Sequence, residues 1–231
     1  NLLIVAIHQP QYLPWLGYLN KIITADAFCL LDTVQYKKSE WQNRNRIKTA
    51  TGWQWLTVPV GHRFGQSIDE VTINNNVNWQ KKHLQALKTN YSRAPFFEEV
   101  LDILKEGFYR RWDRLVDVNC YFIEKISNDL SLNEKQLVRA STLSAREDTT
   151  DRLIDICSEL NADTYLSGPD GANYMDLNRF ADAGIGVVFQ KFSSPVYNQQ
   201  FDGFEARLSV VDMLFNCGQQ SVELITTVNS D

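Results

Sequence analysis

Cysteine and histidine are scarce in this chain, and their spacing excludes several chemistries. The four cysteines (Cys29, Cys120, Cys157, Cys217) stand far apart with no CxxC pair. Each lies among apolar neighbours, which predicts buried free thiols rather than disulfides or zinc ligands. The three histidines (His8, His62, His83) show no ligand spacing and no carboxylate cluster joins them, so no metal site is expected. A Walker A loop, a Rossmann glycine fingerprint and a Gly-x-Ser-x-Gly elbow are all missing. No apolar run is long enough to span a bilayer, and no basic segment precedes an apolar one at the N-terminus. The expected setting is therefore the reducing cytoplasm. Basic residues are not in excess: 23 Lys+Arg against 28 Asp+Glu leave a net charge of −5. That balance argues against nucleic acid or an anionic membrane as a general partner.

What is present is an ordinary globular composition, 44% hydrophobic and 22% charged over 231 residues. The length suits one α/β domain spanning 1–231. Leu2–Ile7 reads as a buried strand, Leu16–Ile23 as a helix and Ala27–Asp32 as a second strand. This βαβ spacing predicts a parallel pair with a right-handed crossover. Trp53–Val60 and Ile68–Ile73 read as β-structure around a loop at Gly61–Gln66. From Asn78 the period turns helical, with Trp79, His83, Leu84, Leu87 and Tyr91 on one face. Residues 78–131 are expected to form a helical insertion or subdomain. Strands and helices then alternate again: Gln136–Ala140, Thr149–Leu160, Thr164–Leu166, Leu177–Ala183, Gly186–Phe192 and Ser209–Phe215. The last helix opens on Ser209 with Asp212 as a capping pair. The predicted fold class is α/β, a mostly parallel doubly wound sheet.

Chemistry concentrates where strands end, because open α/β sheets bind ligands at the carboxyl ends of their strands. His8 follows the first strand and leads His8-Gln9-Pro10-Gln11-Tyr12-Leu13-Pro14-Trp15-Leu16-Gly17-Tyr18. A turn can be built from Gly, Ser and Asp, so these polar aromatics and amides point to function, with an aromatic-packed loop as the alternative. His8 is the candidate base or anion donor, against a His that only fixes the loop. Gln9, Gln11, Tyr12 and Tyr18 are candidate ligand contacts, and Lys21, one turn on, suits an anion. Asp32 is the candidate partner that orients His8, or a turn-forming Asp. Gln35 and Tyr36 follow it. Asn43, Arg44, Asn45, Arg46 and Lys48 form the main basic concentration; guanidinium and amide groups suit phosphate and sugar hydroxyls, against a solvated charged loop. Ser167, Gly168, Asp170 and Tyr174 follow a short strand as a candidate anion-cradling turn. Gln190, Tyr197, Gln199 and Gln200 fit a pocket wall or a surface loop equally well.

These blocks carry a resemblance. His8–Tyr18, Asp32–Tyr36, Trp41–Lys48, Trp55–Val60, Tyr165–Gly168 and Leu208–Gly218 together are similar to the WbqC-like protein family over almost the whole chain. The resemblance implies a role in bacterial surface-polysaccharide (O-antigen) biosynthesis. The activity it implies is transfer of a small acyl or aminoacyl group, such as glycyl, to an activated sugar. The alternative is a nonenzymatic nucleotide- or sugar-binding partner in such a complex. Its cofactor would be a nucleotide, ATP or nucleotide-sugar, if it has one; its substrates would be an activated sugar and an amino acid. Gly168-Pro169-Asp170 also resembles a segment of HIGH-superfamily nucleotidylyltransferases. Trp15-Leu16-Gly17-Tyr18 stands where those carry His-x-Gly-His, with both histidines replaced.

Overall fold

The computed structural model describes residues 2–227. In chain order β1 (Ile4–His8), α1 (Leu16–Thr24) and β2 (Ala27–Leu30) come first. A hairpin follows, β3 (Arg44–Thr49) with β4 (Gly52–Thr57), then a two-residue pair, β5 (Val60–Gly61) with β6 (Thr72–Ile73). Three helices come next, α2 (Trp79–Tyr91), α3 (Phe97–Tyr109) and α4 (Leu115–Asp129). The chain continues through β7 (Gln136–Arg139), α5 (Thr149–Glu159), β8 (Thr164–Ser167), α6 (Leu177–Asp182) and β9 (Gly186–Phe189), and closes with α7 (Val210–Cys217) and α8 (Gln220–Thr227).

Five strands pair in parallel in the order β7-β2-β1-β8-β9. The chain therefore builds outward from β1 in one direction and then restarts beside it with β8. This reversal opens a crevice at the carboxyl ends of β1 and β8, where ligands of open α/β sheets bind. The sheet is apolar on both faces, which explains the continuous hydrophobic run of β1. Ala6, Phe28, Leu30 and Leu166 face a large core built with α1, α2, α3, α4 and α7. Val5, Ile7, Ala27, Cys29 and Tyr165 face a smaller one, sealed by α5 and α6. The α/β class with a parallel sheet wound on both faces follows from this alternation.

Several elements differ from the sequence reading, each for a local reason. β1 runs to His8, which pairs in register with Leu30 and so is fixed by the sheet itself. The basic run after Trp41, read as a phosphate- and sugar-binding segment against a solvated charged loop, is the strand β3, because Asn45 and Ile47 turn inward at period two. Ile68–Ile73 is not one strand. Ser67 and Glu70 close a capping box that sets a 3-10 turn over Ile68–Glu70 before β6. Ser209 caps α7 through Val211 N–H, but Asp212 does not complete the pair, since Tyr91 and Tyr197 hold its carboxylate. No helix among the described residues is long and apolar enough to cross a membrane.

Candidate functional site

A crevice of about 440 Å³ opens where β1 and β8 end. His8 and Gln9 form one wall, Gly168 and Tyr174 the other, and Lys21 reaches in from α1 between them. The Lys21 ammonium lies 3.5 Å from His8 Nδ1, and a Cβ on Gly168 would stand 3.9 Å from it. Lys37, Thr149 and Arg152 complete the polar rim. Among the described residues no aspartate or glutamate lines the crevice, in a chain whose acidic residues outnumber its basic ones by 28 to 23. Three cations and a histidine therefore share one space with no matching carboxylate. Such an excess favours an anionic ligand, most strongly a phosphate.

The pair at the centre, a buried Lys21 and a half-buried His8, is tuned by its enclosure. Lys21 is 3% exposed, and burial lowers its pKa to about 8. Burial, then the Lys21 charge, hold His8 well below the ordinary histidine range, so its imidazole is neutral at pH 7. A neutral imidazole offers one donor and one acceptor, and an ammonium only donates. Lys21 thus takes Nδ1 as acceptor and leaves the proton on Nε2. The Gln11 amide lies 3.3 Å from that nitrogen, and its oxygen must be the group that faces it. That orientation also satisfies Gln11 Oε1, which is otherwise buried without a partner. The Tyr18 ring packs beneath His8 at 4.9 Å and against Phe28 at 5.1 Å.

The helix end beside the crevice contributes less. Asp148 caps α5 by accepting from Thr150 and Asp151 N–H and is itself paired with Arg179. Anion binding here would rest on side-chain cations rather than on a free helix terminus. On the β8 side, Ser167 Oγ would lie only 1.9 Å from a Cβ at Gly171, so a side chain there would force the Ser167 hydroxyl to turn away.

Of the candidate residues read from sequence, His8, Gln9, Lys21, Gly168 and Tyr174 line the crevice, and Gln11 and Tyr18 support His8. The others are placed elsewhere. Asp32 does not meet His8: its fully buried carboxylate accepts from Arg139 Nε (2.8 Å), Ser141 N–H (2.8 Å) and Ser141 Oγ (2.7 Å). It ties β2 to the turn after β7 instead. Tyr12 donates to His83 Nδ1 within the core at 2.8 Å. Gln35 is exposed, and Tyr36 packs on His62 at 5.0 Å. Asn43 and Asn45 donate to backbone carbonyls of Val58 and Leu13. Arg44 stacks over Trp55 at 4.1 Å. Lys48 is buried under residues 199–203. Ser167 hydrogen-bonds Gly168 O, and Asp170 begins a 3-10 turn outside the crevice lining. Gln190 donates to Gly17 O and Asn20, holding β9 to α1.

Sequence reasoning missed Lys37 and Arg152. Arg152 arrives on α5, far along the chain, and nothing in its neighbours marks it. Trp15 caps α1 and Tyr18 is buried, so His8 is the imidazole of this crevice among the described residues. Burial pushes the Cys29 and Cys157 thiols up to about 12, which removes them as nucleophiles. No group of three metal-ligating side chains occurs among the described residues.

The fold and the crevice together define a doubly wound α/β protein with an acid-free cationic site at its strand switch point. Residues 9–224 match the model of the WbqC-like protein family, and the chain belongs to that family. It is also 36% identical over 225 residues to a Mycobacterium tuberculosis protein named "Uncharacterized protein Rv1507c", covering 96% of each chain. No solved structure matches it.

Proposed function

We propose that this protein is a transferase that takes a phosphate-bearing activated substrate in the β1/β8 crevice and moves a small acyl or aminoacyl group onto a sugar. Glycyl is the preferred group. Its setting would be cytoplasmic assembly of surface polysaccharide, with 1–231 acting as one α/β unit and 78–131 as its helical insertion. The observation that carries this reading is the crevice lined by Lys21, Lys37, Arg152 and His8 with no carboxylate.

The chemistry follows from the Lys21–His8 pair. A bound phosphate draws the Lys21 ammonium toward itself and frees His8 Nδ1. Neutralising Lys21 also removes the charge that depresses the imidazole, so ligand binding makes His8 a stronger base. His8 then accepts the proton of the sugar hydroxyl or amine as its lone pair forms the bond to the acyl carbon. The bond from that carbon to the leaving phosphate breaks, and the phosphate keeps the electron pair under the charges of Lys21 and Arg152. Asp32, engaged by Arg139 and Ser141, holds the β2 rim rather than the imidazole.

The test is transfer of radiolabelled glycine to nucleotide-sugars, alongside glycine-dependent ATP–pyrophosphate exchange, with His8→Ala beside the parent. Transfer or exchange lost in the variant supports the reading. Full activity in His8→Ala removes His8 from the mechanism. Tight pyrophosphate binding with no turnover favours the noncatalytic binding partner instead.

A further inference from the structure

The β3–β4 hairpin carries a second cationic surface that the crevice chemistry does not use. Arg44 and Arg46 alternate on β3, and Trp53 and Trp55 on β4; in the antiparallel register Arg46 faces Trp55. These four side chains share one face. Arg44 lies over the Trp55 ring at 4.1 Å and Arg46 over Trp53 at 4.8 Å. Trp41 joins the edge of the group, 5.6 Å from Trp55. Trp53 and Trp55 are 41% and 36% exposed and are the large hydrophobic side chains that the hairpin shows to solvent. Three tryptophans out of six in the chain meet in this one place.

Stacking explains how the arginines are held, but it leaves their charge unmatched. Each guanidinium gives a hydrogen bond to a backbone carbonyl, Arg44 to Ser39 and Arg46 to Arg207. Neither forms an ion pair with a carboxylate among the described residues. Glu205 acts on Arg46 only through space, and Arg207 opposes it.

We propose that this tryptophan–arginine face binds an acidic saccharide, its pyranose ring on the exposed indoles and its carboxylate or phosphate on the arginines. Indole faces accept the apolar C–H face of a sugar, and guanidinium groups pair with its acid group. A nucleobase fits less well. Trp53 and Trp55 meet edge to face at 82°, leaving no parallel slot for a stacked base, and the chain is acidic overall. A protein partner fits less well too, because Thr57, the exposed residue next along the tryptophan face, is polar rather than aliphatic. Gln42, next to Trp41, donates to Gln9 Oε1 at 2.7 Å, and Gln9 lines the crevice. The inference does not rest on the crevice being an active site.

The experiment is a titration of the full chain with an oligomer of galacturonic acid, followed by tryptophan fluorescence. A neutral maltooligosaccharide and single-stranded oligo(dT) run in parallel. The expected result is saturable uronate binding that weakens with salt and falls by about tenfold or more in Trp55→Ala and in Trp53→Ala. Arg44→Ala should lose the preference for the acidic over the neutral oligomer. Both tryptophans are partly exposed, and circular dichroism checks that the variants fold. No uronate binding, equal binding of the neutral oligomer, tighter binding of oligo(dT), or unchanged affinity in both tryptophan variants each overturns the proposal. Pyrophosphate binding separates this result from the crevice reading: Lys21→Ala should weaken it by about 10–100-fold and Trp55→Ala should leave it intact.

Discussion

Lys21 and Lys48 are buried almost equally, at 3% and 1% exposure, yet their ammonium groups meet opposite surroundings. Lys48 donates to Gln199 Oε1, Asp202 O and Gly203 O, and Asp212 acts on the same pocket while accepting from Tyr91 and Tyr197. Lys21 has one long contact to a histidine and faces a crevice free of carboxylates. The same contrast separates the buried His83 from the half-buried His8. His83 is satisfied on both nitrogens, by the Tyr12 hydroxyl at 2.8 Å and Thr57 O at 3.1 Å. His8 sits beside a positive charge. A buried ammonium whose donors all find acceptors holds structure together, whereas one left with a single long contact is a stored demand for a ligand.

The largest expected effect breaks the matched member. Lys48→Met leaves two carbonyls and an amide oxygen without their donor beside the buried Asp212, so stability should fall by ~3–5 kcal/mol. Urea unfolding midpoints measure it, and a loss below ~1 kcal/mol would mean that Lys48 is not structural. Lys21→Met removes an unmatched charge, and stability should stay constant or rise.

His83 gives the next effect, visible in pH. Burial lowers its pKa to about 4, against an unfolded value of 6.5. The unfolded chain therefore binds a proton first as pH falls. The stability that neutral His83 provides is complete above 6.5 and is lost between 6.5 and about 4, about 3 kcal/mol in all. Unfolding free energies across that range should slope less in His83→Gln, which retains hydrogen-bonding groups but cannot titrate. An identical slope would place the acid sensitivity elsewhere, His8 being the next candidate.

At the crevice, Lys21→Met should weaken pyrophosphate binding on the order of 10–100-fold, the worth of one buried charge-assisted contact. Isothermal titration measures this, and Lys48→Arg serves as a control. Unchanged affinity in Lys21→Met would end the distinction between the two lysines.

How far this was legible in the sequence depends on what each signal encodes. β1, β2 and β8 were readable because burial on both faces leaves a continuous apolar run, and α2 to α4 because their apolar faces repeat at helical spacing. His8 and Lys21 were readable as rim residues because strand ends fix where side chains project. Charge type carries no such direction. Lys48 and Lys21 look alike as letters, and only the return of residues 199–203 over β3 tells them apart. Asp32 likewise follows a strand as expected, but its partners Arg139 and Ser141 come from β7 and the turn after it, more than a hundred residues later. Arg152 enters the crevice by the same kind of long-range return. Lys48 and the hairpin arginines stood in one basic run, which concealed that they serve a buried network and an exposed aromatic face.

The smallest effect is the sharpest test of the comparison, because it asks whether Lys21 alone governs the crevice charge. With a pKa of about 8, Lys21 is mostly protonated at pH 7 and mostly neutral by pH 9. Its lysine counterpart in an unfolded or exposed setting would stay charged through that range. Sulfate is the useful probe, since its own charge is constant there. Its affinity should be steady below pH 7 and should decline above pH 8 with a slope approaching, but not exceeding, about tenfold per pH unit. Bound sulfate should raise the Lys21 pKa by the same linkage, and it should raise the His8 pKa by cancelling the Lys21 charge; an NMR titration of the His8 ring reads this directly. In Lys21→Arg, which stays charged, the decline should vanish while binding persists. A wild-type affinity that is flat through pH 9 would transfer the anchoring role to Arg152 and Lys37, and the unmatched lysine would then need another explanation.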